Sequence, residues 1–161
     1  MYTMAIRSPY EGLQIPERLV SEFFGVFARF EFTMKECGYL KKGAARARPD
    51  WDCFATRASA QLKIEPGSSA ATAVDYLVTE PPFVQGSGLK WNAAPLEGKT
   101  NPEKALHAVV RVRNNLFHGG KHTPHSPAGR DEKLVSESLV LLYTCIEQIH
   151  GFRDMFETTE F

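Results

Sequence analysis

From Leu19 to Cys37 the apolar side chains fall three or four residues apart: Leu19, Val20, Phe23, Phe24, Phe27, Phe30, Met34 and Cys37. That is the 3.6-residue period of a helix with one face turned to a core. A stripe this rich in phenylalanine must be covered by elements of matching apolar character. Pro16 opens the helix, because proline is tolerated in a first turn, and Gly38 is its expected stop. The period returns along the chain. Pro49-Asp50 starts a second helix with Trp51, Phe54, Ala55, Ala58 and Leu62 on one face. Glu65 to Ser69 is a turn, and a short helix around 71–80 stops at Pro81-Pro82. Asn101-Pro102-Glu103 reads as a capping Asn, an early Pro and an acid beside the positive end of the helix dipole. That helix runs to His118 and stops at Gly119-Gly120. Asp131 to about Phe156 reads as one last long helix, with Leu134, Val135, Leu139, Leu142, Ile146, Ile149 and Phe152 on its apolar face. No stretch shows strand alternation, so the expectation is an all-α bundle of four or five helices with irregular loops.

The connections divide the chain further. Residues 1–15 read as an extended lead-in. Residues 39–48 carry Lys41, Lys42, Arg46 and Arg48 and read as a mobile basic loop, solubilising or tracking an RNA backbone. Residues 81–100 form a long irregular connection, long enough to be functional or to hide a short element. The 161 residues suit one domain, 1–161, and need no metal or disulfide staple. Hydrophobic residues at 43% and charged ones at 24% exclude disorder across the whole chain. No apolar run approaches the ~20 residues that span a bilayer, so no membrane partner is expected. Met1 to Arg7 lacks the apolar core of a signal peptide, and three scattered cysteines (Cys37, Cys53, Cys145) read as buried thiols in a reducing cytoplasm. Nineteen basic side chains balance nineteen acidic ones. Global charge therefore gives no push toward nucleic acid, and an anionic partner must be held by local clusters.

Two polar residues break the apolar faces. On a wheel of helix 101–118 with Leu106 at zero, Arg113 lands near −20°, inside the arc of Val109, Val110, Leu116 and Phe117. A guanidinium facing a core needs acceptors. Asn114, His107, His118 and Arg111 lie along one flank, with Asn114 and His118 an i,i+4 pair. In the first helix Glu31 falls between Val20 and Phe24, where a lone buried charge costs several kcal/mol. Glu31 is therefore expected to pair with Arg113 or a neighbouring donor. The alternative is that both snorkel to opposite rims of the bundle.

The stretch Arg111-Val112-Arg113-Asn114-Asn115-Leu116-Phe117-His118-Gly119-Gly120 resembles the signature of HEPN domains: Arg, a polar follower, and His four to six residues on. Phe30-Glu31-Phe32-Thr33-Met34-Lys35-Glu36-Cys37-Gly38-Tyr39 resembles the aromatic-Glu-aromatic, Lys, Gly-Tyr pattern of bacterial members. The nearest likeness is to small plasmid- and defence-associated HEPN proteins. The resemblance implies a four-helix core and, in active members, metal-independent RNA cleavage. It also implies a homodimer whose motif helices build one composite cleft, and a toxin or phage-defence setting with a cognate antitoxin or regulatory protein. The family includes non-catalytic members that bind RNA, a nucleotide or a protein partner.

Cleaving RNA without a metal needs a base for the ribose 2′-OH, a cation for the phosphorane and an acid for the leaving 5′-oxygen. An imidazole, with its pKa near ~6.5, can be base or acid near neutrality. A guanidinium fork fits phosphate oxygens. His118 is thus the expected general base or acid, Arg113 the phosphate clamp, and Asn114 the group that orients His118 or binds phosphate. Glu31 supports Arg113. Arg111 and Lys121 could bind phosphate or be solvated charges, and His118 could equally cap the helix dipole. No metal or cofactor is expected. His118, His122 and His125 have zinc-like spacing, but Gly119-Gly120 and Pro124 argue against a continuous helix there. Nucleophile-elbow and glycine-rich phosphate-loop motifs are absent from the sequence.

Overall fold

The computed structural model describes residues 6–118 and 126–159. Helix α1 spans Glu17–Glu36 and buries Val20, Phe23, Val26, Phe27, Phe30 and Met34. It ends as the sequence predicts. Gly38 takes a left-handed φ of 86°, Gly38 N–H donates to Lys35 O at 3.1 Å, and Tyr39 N–H to Met34 O at 2.9 Å. These two bonds satisfy carbonyls that the helix end would otherwise orphan. The turn drives Tyr39 into the core, edge-on to Phe54 at 5.1 Å.

The basic segment after it has a clamped neck. Leu40 bridges Pro49, Lys41 N–H donates to Arg48 O and Asp50 N–H to Tyr39 O, both at 2.9 Å. Helix α2 (Trp51–Ser59) is capped by Asp50, whose side chain accepts from Cys53 N–H at 3.0 Å. Helix α3 (Ser69–Thr79) is capped by Ser68 through Ala71 N–H at 3.1 Å. Each cap satisfies one donor that a helix start leaves bare.

Residues 81–100 do hide an element. Strands β1 (Val84–Gln85) and β2 (Trp91–Asn92) pair antiparallel, with Val84 opposite Asn92 and Gln85 opposite Trp91. Strands of two residues are too short for alternation to register, which is why the sequence showed none. Residues 8–13 of the lead-in are likewise not extended. Glu11 N–H donates to Ser8 O and Leu13 N–H to Tyr10 O, and these turns deliver Ile15 to the core.

Helix α4 spans Asn101–Phe117. Its cap is Thr100, one residue before the expected Asn101. Thr100 Oγ1 accepts from Glu103 N–H at 3.3 Å while the Glu103 carboxylate accepts from Thr100 N–H at 3.3 Å. This reciprocal capping box outweighs a single Asn cap. The last helix is two: α5 (Arg130–Gln148) and α6 (Phe152–Glu157). Ile149 is extended and Gly151 left-handed at φ 77°, so the chain turns and seats Phe152 fully buried. The apolar period continues through the break, so the spacing alone reads as continuous.

The result is an all-α fold with one small ribbon. Helix α3 packs on α4 and α5, α1 on α5 and α6, and α2 on α4. One apolar cluster joins these helices, and Phe30 lies at its centre with Trp51, Phe54 and Phe152 at 5.3–5.6 Å. Among the described residues no helix is long and apolar enough to cross a membrane.

Candidate functional site at the C-terminal end of α4

The last turn of α4 rises out of the core. Leu116 is buried, whereas Asn114 and His118 are exposed and Phe117 is 40% exposed. Arg113 sits at this boundary and is half-buried. Its Nη1 donates to Asn114 Oδ1 at 3.0 Å, and its Cζ lies 4.3 Å from the Phe117 ring centre and 5.5 Å from that of Phe27. Phe24 stacks on Phe117 at 3.7 Å. A guanidinium over aromatic faces gains about 0.5–2 kcal/mol and keeps its edge for other bonds. Arg113 Nε is buried with no hydrogen-bond partner, and among the described residues no carboxylate lies within 4 Å of the side chain.

Glu31 does not supply that carboxylate. It accepts from Trp51 Nε1 at 2.9 Å, so its partner is a neighbouring donor and not Arg113. The cause is aromatic stacking. The Trp51 ring lies nearly parallel to Phe30 (10°) and Phe27 (24°), a placement that brings its indole N–H to Glu31. Arg113 meets α1 at Phe27 instead. The Trp51 bond is the signal sequence reasoning missed, because Trp51 read as plain core.

His118 is the C-cap residue, and its N–H donates to Asn114 O at 3.0 Å. Arg113, Asn114 and His118 therefore share one exposed helix end. Asn115, which carried no sequence expectation, donates from Nδ2 to Phe83 O at 2.8 Å and ties this end to the 81–100 connection. Arg111 bonds inside the fold. Its Nη1 donates to Pro82 O at 3.1 Å and Ala94 O at 2.9 Å, and its Nη2 to Pro95 O at 2.7 Å. Burial lowers its pKa, against the pull of Glu97. A five-donor fork is well suited to collect several carbonyls of one connection. Lys121, His122 and His125 lie outside the described residues.

Beside the site runs a groove of about 510 Å³, lined by Tyr10, Leu13, Val20, Phe24, Leu116 and Phe117. Of the three cysteines only Cys145 is buried, with Cys37 and Cys53 half-buried, and burial pushes the Cys145 thiol well up and raises Cys37 as well. A thiolate is the reactive form, and both environments disfavour it.

A second polar cluster lies nearer the start of α4. Asp52, Glu97 and His107 each offer one ligating atom, all within 4.8 Å of one another. Sequence reasoning missed it, because the three come from distant segments. Next to it, the Glu103 carboxyl is held below its ordinary pKa, first by the Lys99 N–H bond and then by those from Thr100 and Thr56.

No family model matches the chain, and comparison with curated proteins and with solved structures finds no match either.

Proposed function

We propose that the chain is a metal-independent endoribonuclease of HEPN type, acting at the C-terminal end of α4. The observation that carries this reading is the Arg113 guanidinium, with no carboxylate within 4 Å among the described residues, on the same helix end as the exposed imidazole of His118. Arg113 holds a phosphate oxygen pair and stabilises the charge that grows on the phosphorane. His118 takes the 2′-OH proton, or returns one to the leaving 5′-oxygen. The products are a 2′,3′-cyclic phosphate and a 5′-hydroxyl, with no water consumed in the first step. Asn114 holds Arg113 through the 3.0 Å bond and sits one turn before His118. It acts here as a positioning residue.

Among the described residues this helix end carries one imidazole, while the reaction needs a base and an acid. A second copy of the chain, with its α4 end facing the first across a two-fold axis, supplies the other. A homodimer with one composite cleft, as the resemblance to HEPN domains implies, is part of the proposal, as are a cytoplasmic setting and a toxin or phage-defence role with a cognate antitoxin.

The test is cleavage of RNA in EDTA by the wild type, His118→Ala and Arg113→Ala. Loss in both variants supports the site. Equal cleavage by all three places the activity elsewhere. RNA binding without cleavage in the wild type, weakened in Arg113→Ala, supports a non-catalytic HEPN-like module instead.

A further inference from the structure

The Asp52, Glu97 and His107 cluster is independent of the cleavage site and assembled by the fold. Asp52 comes from the first turn of α2, Glu97 from the connection, and His107 from the middle of α4. With Thr56, Gly98 and Glu103 they line a pocket of about 330 Å³. The His107 side chain is 19% exposed, and its Nδ1 stands 4.0 Å from Asp52 Oδ1, too far for a hydrogen bond. Lys41 takes the other oxygen, Asp52 Oδ2, at 3.4 Å and leaves Oδ1 facing the imidazole. Glu97 is held in place by its neighbour. Gly98 has a φ of 123° and passes so close to α4 that a Cβ there would lie 2.8 Å from Glu103 Cβ. That approach presses the connection onto the helix and fixes where Glu97 leaves it.

We propose that Asp52, Glu97 and His107 bind one divalent transition-metal ion of the zinc class, with water completing its shell. Zinc holds such ligands at ~2.0–2.2 Å, which puts neighbouring donors about 3.3 Å apart. Donors within 4.8 Å close to that spacing by rotations of Asp52 and Glu97, both exposed. One imidazole nitrogen with two carboxylates selects zinc, cobalt or manganese over calcium and magnesium, which ask for an all-oxygen shell. The ion cancels the repulsion of two adjacent carboxylates and ties α2, the connection and α4 together. The site is structural, and it takes no part in the cleavage proposed at the other end.

The full chain, free of any histidine tag and stripped by chelator, is titrated calorimetrically with Zn²⁺ alone, then with Mg²⁺ and Ca²⁺. One equivalent of Zn²⁺ binds and raises the thermal midpoint, while Mg²⁺ and Ca²⁺ bind at least tenfold more weakly. His107→Ala and Glu97→Ala each weaken zinc binding at least tenfold, and His122→Ala/His125→Ala leaves it unchanged. Glu97 is exposed, so its variant keeps the fold and the test stands even if His107→Ala unfolds. Absence of zinc uptake overturns the proposal. So does uptake that survives Glu97→Ala, or that is lost in the His122/His125 variant.

Discussion

The two ends of α4 are built from similar polar residues and put them to opposite uses. At the N-terminal end Thr100 and Glu103 exchange hydrogen bonds, and Glu103 also accepts from Lys99 N–H. Gly98 packs so closely that no side chain fits. At the C-terminal end Arg113 keeps an unpartnered Nε and lies over Phe117, and Asn114 and His118 are exposed. Groups whose bonds are satisfied inside the fold contribute stability. Groups exposed at the surface, as Asn114 and His118 are, are the ones a ligand can recruit. Arg111 shows that sequence position does not decide between these uses. It stands two residues from Arg113, yet three of its bonds go to the 81–100 connection.

The contrast can be broken from either side. The largest effect is expected at the C-terminal end: His118→Ala lowers RNA cleavage by ~10²–10⁴-fold, the usual reach of a general acid or base. Its unfolding free energy stays within about 0.5 kcal/mol of wild type, as for other exposed positions. At the N-terminal end the effects reverse. Gly98→Ala loses about 2 kcal/mol or more of stability in urea unfolding, from left-handed strain and the Glu103 clash together. Its folded fraction keeps normal cleavage. Arg111→Met costs about 1–3 kcal/mol by leaving loop carbonyls without a donor. It leaves the salt dependence of RNA binding unchanged, whereas a phosphate-contacting residue would lower that slope. Thr100→Ala costs ~1 kcal/mol, the loss of one cap.

The smallest effect sharpens the comparison through pH. The Glu103 carboxyl has a folded pKa below its ordinary 4.5, so the ionised form favours the folded state. Its contribution is present at neutral pH and fades as pH falls through and below 4.5. The stability gap between wild type and Glu103→Gln should therefore close on acidification, measured by urea titrations at successive pH values. A gap that is constant with pH would mean that the bonds and not the charge carry the effect.

How far this could be read from the chain follows from the range of each interaction. The helices were legible because their signals are local: the stripe of α1, the Gly38 stop, the Pro49-Asp50 start of α2. The break before α6 was not, because a left-handed Gly151 costs nothing in apolar spacing. At the candidate site, the shared face of Asn114 and His118 followed from the helical period, and Arg113 stands next to Asn114 near the same helix end. The partners of Glu31 and Arg111 did not, since Trp51 lies 20 residues from Glu31 and the accepting carbonyls 16 to 29 residues from Arg111. The Asp52, Glu97 and His107 cluster spans 55 residues of sequence and leaves no local trace.

The measurement closest to the central claim is end-group analysis of RNA incubated with purified protein in EDTA. The proposed mechanism gives 2′,3′-cyclic phosphate and 5′-hydroxyl ends from the wild type and intact RNA from His118→Ala. A 5′-phosphate product, or the same cyclic ends at an undiminished rate from His118→Ala, would contradict it.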